Sequence, residues 1–265
     1  NLSAKTIKNQ TNINIKDKLF ILKNSVLTSQ LKINMLFGTV AFMLGRAIIL
    51  GYLNPFSMAF LAVSSLQEMN MLVIITGLLL GAITTGSKEF LLKFFISSMA
   101  FMLLYFLTKR FRIDKKLLIT VITVVTTFGA GYLVFYIKDY FLYDLLMQGA
   151  ESIMCIALIF IYDRAFPVIK KYKSRHIVST EELIAICIMF AFCFVGTEVV
   201  IAGLSIRNII VILAVMTFAY YGNVGMGATV GMILGLIQSL AGEILPAALG
   251  VYGLCGLLCN AFRTL

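Results

Sequence analysis

Apolar runs long enough to cross a bilayer recur along this chain, and they decide which solvent it folds in. About 30 Å of hydrocarbon takes roughly 20 helical residues at about 1.5 Å each. The run from Ile33 to Leu53 meets that length and is polar only at Asn34, Thr39 and Arg46. Leu117 to Ile137 and Leu145 to Ala165 meet it too. Asn54-Pro55 breaks the first run, because proline lacks a donor and biases the residue before it away from helix. The run that follows, Pro55 to Leu66, is only about 18 Å long as a helix and reads as a half-helix or a short span. Met71 to Gly86 and Phe90 to Thr108 come next. Ser179-Thr180-Glu181-Glu182 supplies an N-cap and acidic first turn for a helix from Leu183 to about Leu204. The apolar stretch from Arg207 to Leu240 divides near Tyr220 to Gly225, and Ile244 to Phe262 closes the series. The expected fold is all-α, a polytopic transmembrane helical bundle of about 8–10 hydrophobic segments. Composition agrees, since 60% of residues are hydrophobic and 13% charged, against about half and a quarter in soluble domains.

The net charge of +10 matters through its placement. Lys and Arg gather in residues 5–32, 109–116 and 164–175, at the junctions of apolar runs rather than along one helix face. That is the pattern of positive-inside topology, so the partner expected is a lipid bilayer and not a nucleic acid. Two parts follow: a cytoplasmic Lys-rich segment at 1–32 and a transmembrane domain at 33–262, the latter split by basic loops at 109–116 and 164–182. With the amino terminus cytoplasmic, four crossings and then two more return the chain to the same side at each basic loop. The amino-terminal segment has no early apolar core or small-residue cleavage site, so no secretory signal peptide is expected. The chain starts without methionine and stops just after an apolar run, and both ends are expected to be internal to a longer protein.

Ionisable groups inside apolar runs are functional suspects. Lys93 lies near a helix end, where its head can reach the interface, and Glu198 falls late in its run. Arg46 and Glu151 sit deeper and carry opposite charges. They are read as a candidate intramembrane ion pair, with a solute or proton pathway as the sharper alternative. Gly77 with Gly81, and Gly227 with Gly231 and Gly235, form rows at four-residue spacing that let helices approach closely. They serve packing within the chain or a homo-oligomer contact. The five cysteines all fall in apolar runs, and Cys255 with Cys259 finds no partners for a tetrahedral metal set. His176, the only histidine, lies in a basic loop. No nucleotide loop, Rossmann glycine pattern or paired-aspartate metal motif is present, so no catalytic, cofactor-binding or metal residue is assigned.

The string Phe42-Met43-Leu44-Gly45-Arg46-Ala47-Ile48-Ile49-Leu50 followed by Asn54-Pro55-Phe56 resembles the start of the membrane region of the stage II sporulation protein E family. A second match begins at Glu181-Glu182-Leu183-Ile184 after a basic loop and runs through Gly203-Leu204-Ser205 into Gly225 to Gly235. Glu151 falls where the family tends to carry a glutamate. The likeness covers residues 33–262.

The resemblance implies an endospore-forming Firmicute as source and a bacterial cell-membrane location at the polar division septum. It implies regions absent from this chain: a regulatory region linked to cell-division proteins, and a PP2C-type phosphatase using Mn²⁺ or Mg²⁺. That phosphatase acts on an anti-anti-sigma factor and so activates a forespore sigma factor. This chain would then be the membrane-anchoring and septum-localising part. The alternative is a small transporter or a substrate-binding membrane subunit, favoured by Arg46, Glu151 and the short broken helices.

Overall fold

The structure, a computed structural model, describes residues 30–49, 53–108, 114–136, 142–170, 179–197, 200–201, 204–221, 224–240 and 247–263. Most of the amino-terminal segment, the centres of both basic loops with His176, and Glu198 lie outside the described residues. The described chain is helical apart from short backbone bridges. In order it runs α1 (residues 30–46), α2 (Pro55–Leu66), α3 (Met71–Thr84), α4 (Lys88–Thr108), α5 (Lys115–Tyr136), α6 (Leu142–Lys170) and α7 (Thr180–Val195). The hairpin β1 (Val200–Ile201) and β2 (Leu204–Ser205) follows, then α8 (Ile206–Tyr221), α9 (Val224–Leu240) and α10 (Ala247–Arg263).

Three of these helices, α4, α5 and α6, are long and apolar enough to cross a membrane. The others are shorter, and α1 with α2 shows what a short pair does instead. Ser57 Oγ donates to Leu44 O at 3.2 Å, and the rings of Phe37 and Phe60 lie 6.2 Å apart, so α2 returns antiparallel along α1. Between them Ile49 and Leu53 exchange N–H···O bonds at 2.9 and 3.0 Å. The bridge satisfies backbone groups that water cannot reach, the condition for irregular chain inside an apolar domain. The run Pro55 to Leu66, read from sequence as a half-helix or a short span, is a 12-residue helix, and Asn54-Pro55 starts it as expected: Asn54 Oδ1 accepts the Ser57 N–H at 3.0 Å and Pro55 takes the first helical position.

Every residue of α2 from Pro55 to Ser65 is buried, as suits a helix apolar on all sides. It lies parallel to α6, and an aromatic cluster of Phe37, Phe60, Tyr162 and Phe166 joins α1, α2 and α6. The helix α3 runs parallel to α1 at backbone contact. A Cβ on Gly77 would meet Gly38 O, and one on Gly81 would meet Phe42 O and Gly45 Cα. On the other side of the bundle Gly227 and Gly231 face Gly256 and Tyr252 of α10 in the same way, and Gly235 is buried on α9. Both glycine rows thus lie against helices of their own chain.

Helix α7 starts where the sequence places it. Ser179 Oγ accepts the Glu182 N–H at 3.2 Å, and the Glu182 carboxylate accepts the Ser179 N–H at 3.1 Å, a reciprocal capping box. Ser179→Ala is expected to cost about 1 kcal/mol, seen as a small drop in melting midpoint at unchanged folded yield.

Candidate functional site

The residues able to do chemistry at depth meet at the amino-terminal end of α2. Glu151, from the third turn of α6, is 3% exposed, and Lys93, from the second turn of α4, is 8% exposed. The Lys93 ammonium donates to Glu151 Oε2, and the Asn54 N–H donates to Oε1 at 3.3 Å. Asn54 Nδ2 donates back to Leu44 O and Gly45 O at 3.1 and 3.2 Å, closing the last carbonyls of α1. One carboxylate is thus held by an ammonium, a backbone donor and the positive end of the α2 dipole.

The far end of α2 mirrors this arrangement. Lys170 Nζ donates to Gln67 O at 3.0 Å, placing a cation at the helix carboxyl end. Asp163 accepts from Gln67 Nε2 at 3.3 Å and from Lys116 Nζ at 2.6 Å. Two carboxylates of α6 therefore reach the two ends of the buried half-helix, with Glu151 complementing the dipole at its start and Lys170 complementing it at its close. Lys115, Lys116, Arg164 and Lys170 all belong to the bundle end at which α2 and α6 finish and α5 begins. The described parts of the two basic loops share one end, as the charge pattern anticipates.

A polar seam continues from Glu151 between α5 and α6. Gln148 Nε2 donates to Thr127 O at 2.9 Å, and Thr127 Oγ1 lies 3.4 Å from Ser152 Oγ. The hydroxyls of Thr123, Thr126 and Thr127 return to carbonyls of their own helix at 2.7 to 2.8 Å, the usual way such groups are satisfied in a dry interior.

The expectation that Glu151 faces Arg46 is corrected: both of its oxygens are taken, by Lys93 and by Asn54. Arg46 ends α1 half-buried and lies by Gly196 at the close of α7, whose added Cβ would stand 3.3 Å from the Arg46 Cβ. Lys93 does not reach out to the interface: its ammonium is buried against the Glu151 carboxylate. The sequence reading missed Asn54, Ser57 and Gln148 as members of this site. A usable signal was present: Gln148, Glu151 and Ser152 recur at three- and four-residue spacing, as do Lys93 with Ser97 and Thr123 with Thr126 and Thr127, placing polar groups on the facing sides of α4, α5 and α6. Among the described residues no group of three or more His, Cys, Asp or Glu side chains could hold a metal ion.

An all-α domain with membrane-length helices around a broken, buried hairpin pinned by an internal ion pair is the class this defines. Residues 2–264 match the family described as SpoIIE, N-terminal domain, and the chain belongs to that family. It is 28% identical over 218 residues to stage II sporulation protein E of Bacillus subtilis (strain 168), a match covering 78% of this chain and 25% of that protein. The chain thus matches about a quarter of the relative's length. No solved structure matches it.

Proposed function

We propose that this chain is the membrane-anchoring and septum-localising domain of a sporulation phosphatase of the stage II sporulation protein E type. The carrying observation is family membership over residues 2–264, joined to three helices of membrane-crossing length. The basic residues gathered at one end of the bundle favour that end facing the cytoplasm, with the chain crossing the membrane several times. The phosphatase acts from a separate PP2C-type region, whose Mn²⁺ or Mg²⁺ and anti-anti-sigma substrate belong to that region, as do contacts with cell-division proteins. The carboxylate, amide and ammonium groups at the break satisfy one another, which suits a rigid scaffold better than a substrate passage. The transporter reading draws on one observation, the half-helix aimed at a buried carboxylate.

The test is a fluorescent fusion of the full-length protein followed through sporulation, beside the same fusion lacking residues 33–263. The expected result is membrane signal gathering at the polar septum with the first and diffuse signal with the second. Even distribution of the first throughout sporulation overturns the proposal.

A further inference from the structure

Helix α2 closes against two local preferences at once. Its end is a full Schellman turn, in which the Met69 N–H donates to Ser64 O at 3.0 Å and the Glu68 N–H donates to Ser65 O at 3.4 Å. That turn needs a left-handed residue at Glu68, whose φ is 53°, and among the described residues no other non-glycine has a positive φ. Glycine fills such a position without strain, and a residue with a Cβ does not. Glu68 also adds negative charge at the carboxyl end of a helix, where the dipole is already negative. Lys115, the first residue of α5, stands 4.0 Å from the Glu68 carboxylate, and the two side chains are 86% and 81% exposed. A pair that long is no hydrogen bond, and one that exposed contributes little. It does not account for a glutamate here. A strained position whose side chain does so little for the fold points to a ligand.

A place for that ligand adjoins. Glu68 and Lys115 line a cavity of about 410 Å³ between the turn after α2, the last turn of α4 and the start of α5, a size usual for small-molecule sites. Leu66, Met71, Leu118 and Ile119 give it an apolar wall. Its two sides are opposite in sign. One carries the Glu68 carboxylate and the negative end of α2, and the other carries the Lys115 ammonium and the positive end of α5. Asp114, the residue before Lys115, borders a separate groove toward Phe160. The cavity belongs to the bundle end that holds Lys116, Arg164 and Lys170. There α4 and α5, both of membrane-crossing length, reach the headgroup region.

We infer that this cavity binds the headgroup of an aminophospholipid, with its ammonium on Glu68, its phosphate on Lys115 and the start of an acyl chain along Leu66, Leu118 and Ile119. Charge complementarity selects this occupant, which joins one cation, one anion and an apolar tail in the order the cavity presents them. Phosphatidylglycerol, with no cation, meets Glu68 as a like charge. A choline headgroup brings an ammonium with no N–H to donate, whereas phosphatidylethanolamine brings three. The inference rests on the membrane placement proposed above and is independent of septal localisation.

The test takes full-length protein extracted in detergent, strips it of lipid and adds phosphatidylethanolamine, phosphatidylglycerol and phosphatidylcholine of matched chains in equal amounts. Bound lipid is read by native mass spectrometry. The expected result is a phosphatidylethanolamine adduct several-fold above the other two. Glu68→Gly, which suits the left-handed backbone, is expected to raise the melting midpoint while removing that preference, and Lys115→Gln is expected to lower all three adducts. Equal adducts from the three lipids, a preference unchanged in Glu68→Gly, or adducts unchanged in Lys115→Gln overturns the inference and leaves the membrane placement standing. Displacement by an equal concentration of glycerophosphoethanolamine, which has the headgroup without the chains, overturns the lipid as the ligand. Protein that needs no detergent overturns the membrane placement and the inference together.

Discussion

Replacing Glu151 with Leu is expected to abolish most of the folded protein, and adding Lys93→Met is expected to restore much of it. The single change leaves the Lys93 ammonium buried with no carboxylate, a loss of about 3–5 kcal/mol, comparable with a large part of the stability of a typical domain. The double change replaces the pair with apolar groups of similar size, a substitution that is often neutral or stabilising. Arg46→Ala combined with Glu151→Leu is expected to show no recovery, because Arg46 does not hold the carboxylate. The measurement is the fraction of detergent-extracted protein that elutes as a single species on size exclusion, with the melting midpoint of that species. Equal loss in Glu151→Leu and in the Lys93→Met, Glu151→Leu double variant would sink the pairing, as would recovery through Arg46.

Much of the architecture was legible because lipid imposes a simple rule. Apolar length marks the helices, and the positions of α4, α5 and α6 follow from that alone. Asn54-Pro55 marked the half-helix because its effect is local to the backbone. The partner of Glu151 was not legible for the opposite reason. Arg46, Lys93 and Glu151 are far apart in sequence, and depth along a helix does not tell which helices touch. The choice between two cations turned on the α1–α2 hairpin, which turns Asn54 and the α2 amino terminus toward α6 while α4 brings Lys93 to the same point. The glycine rows were legible as contacts, but not which helix each row meets.

Those rows give the second large effect. Gly81→Leu is expected to push α3 off α1 and lower folded yield sharply, while Gly149→Ala on α6 leaves it unchanged or slightly raised. At Gly81 an added Cβ would strike Phe42 O and come to 3.0 Å of Gly45 Cα, both backbone atoms that cannot turn aside. Without hydrophobic expulsion between helices in lipid, close packing is the main force holding α3 to α1, and forcing atoms into it costs about 1–3 kcal/mol or more. Gly149 meets nothing within 4 Å, so alanine there brings only its better helix propensity, about 1 kcal/mol. The same contrast extends to α9, where Gly231→Leu strikes the carbonyl of Tyr252 on α10. Gly81→Leu protein that extracts and elutes like the parent would show that α1 and α3 part easily. The parallel α1–α3 contact would then not be what holds the broken hairpin in place.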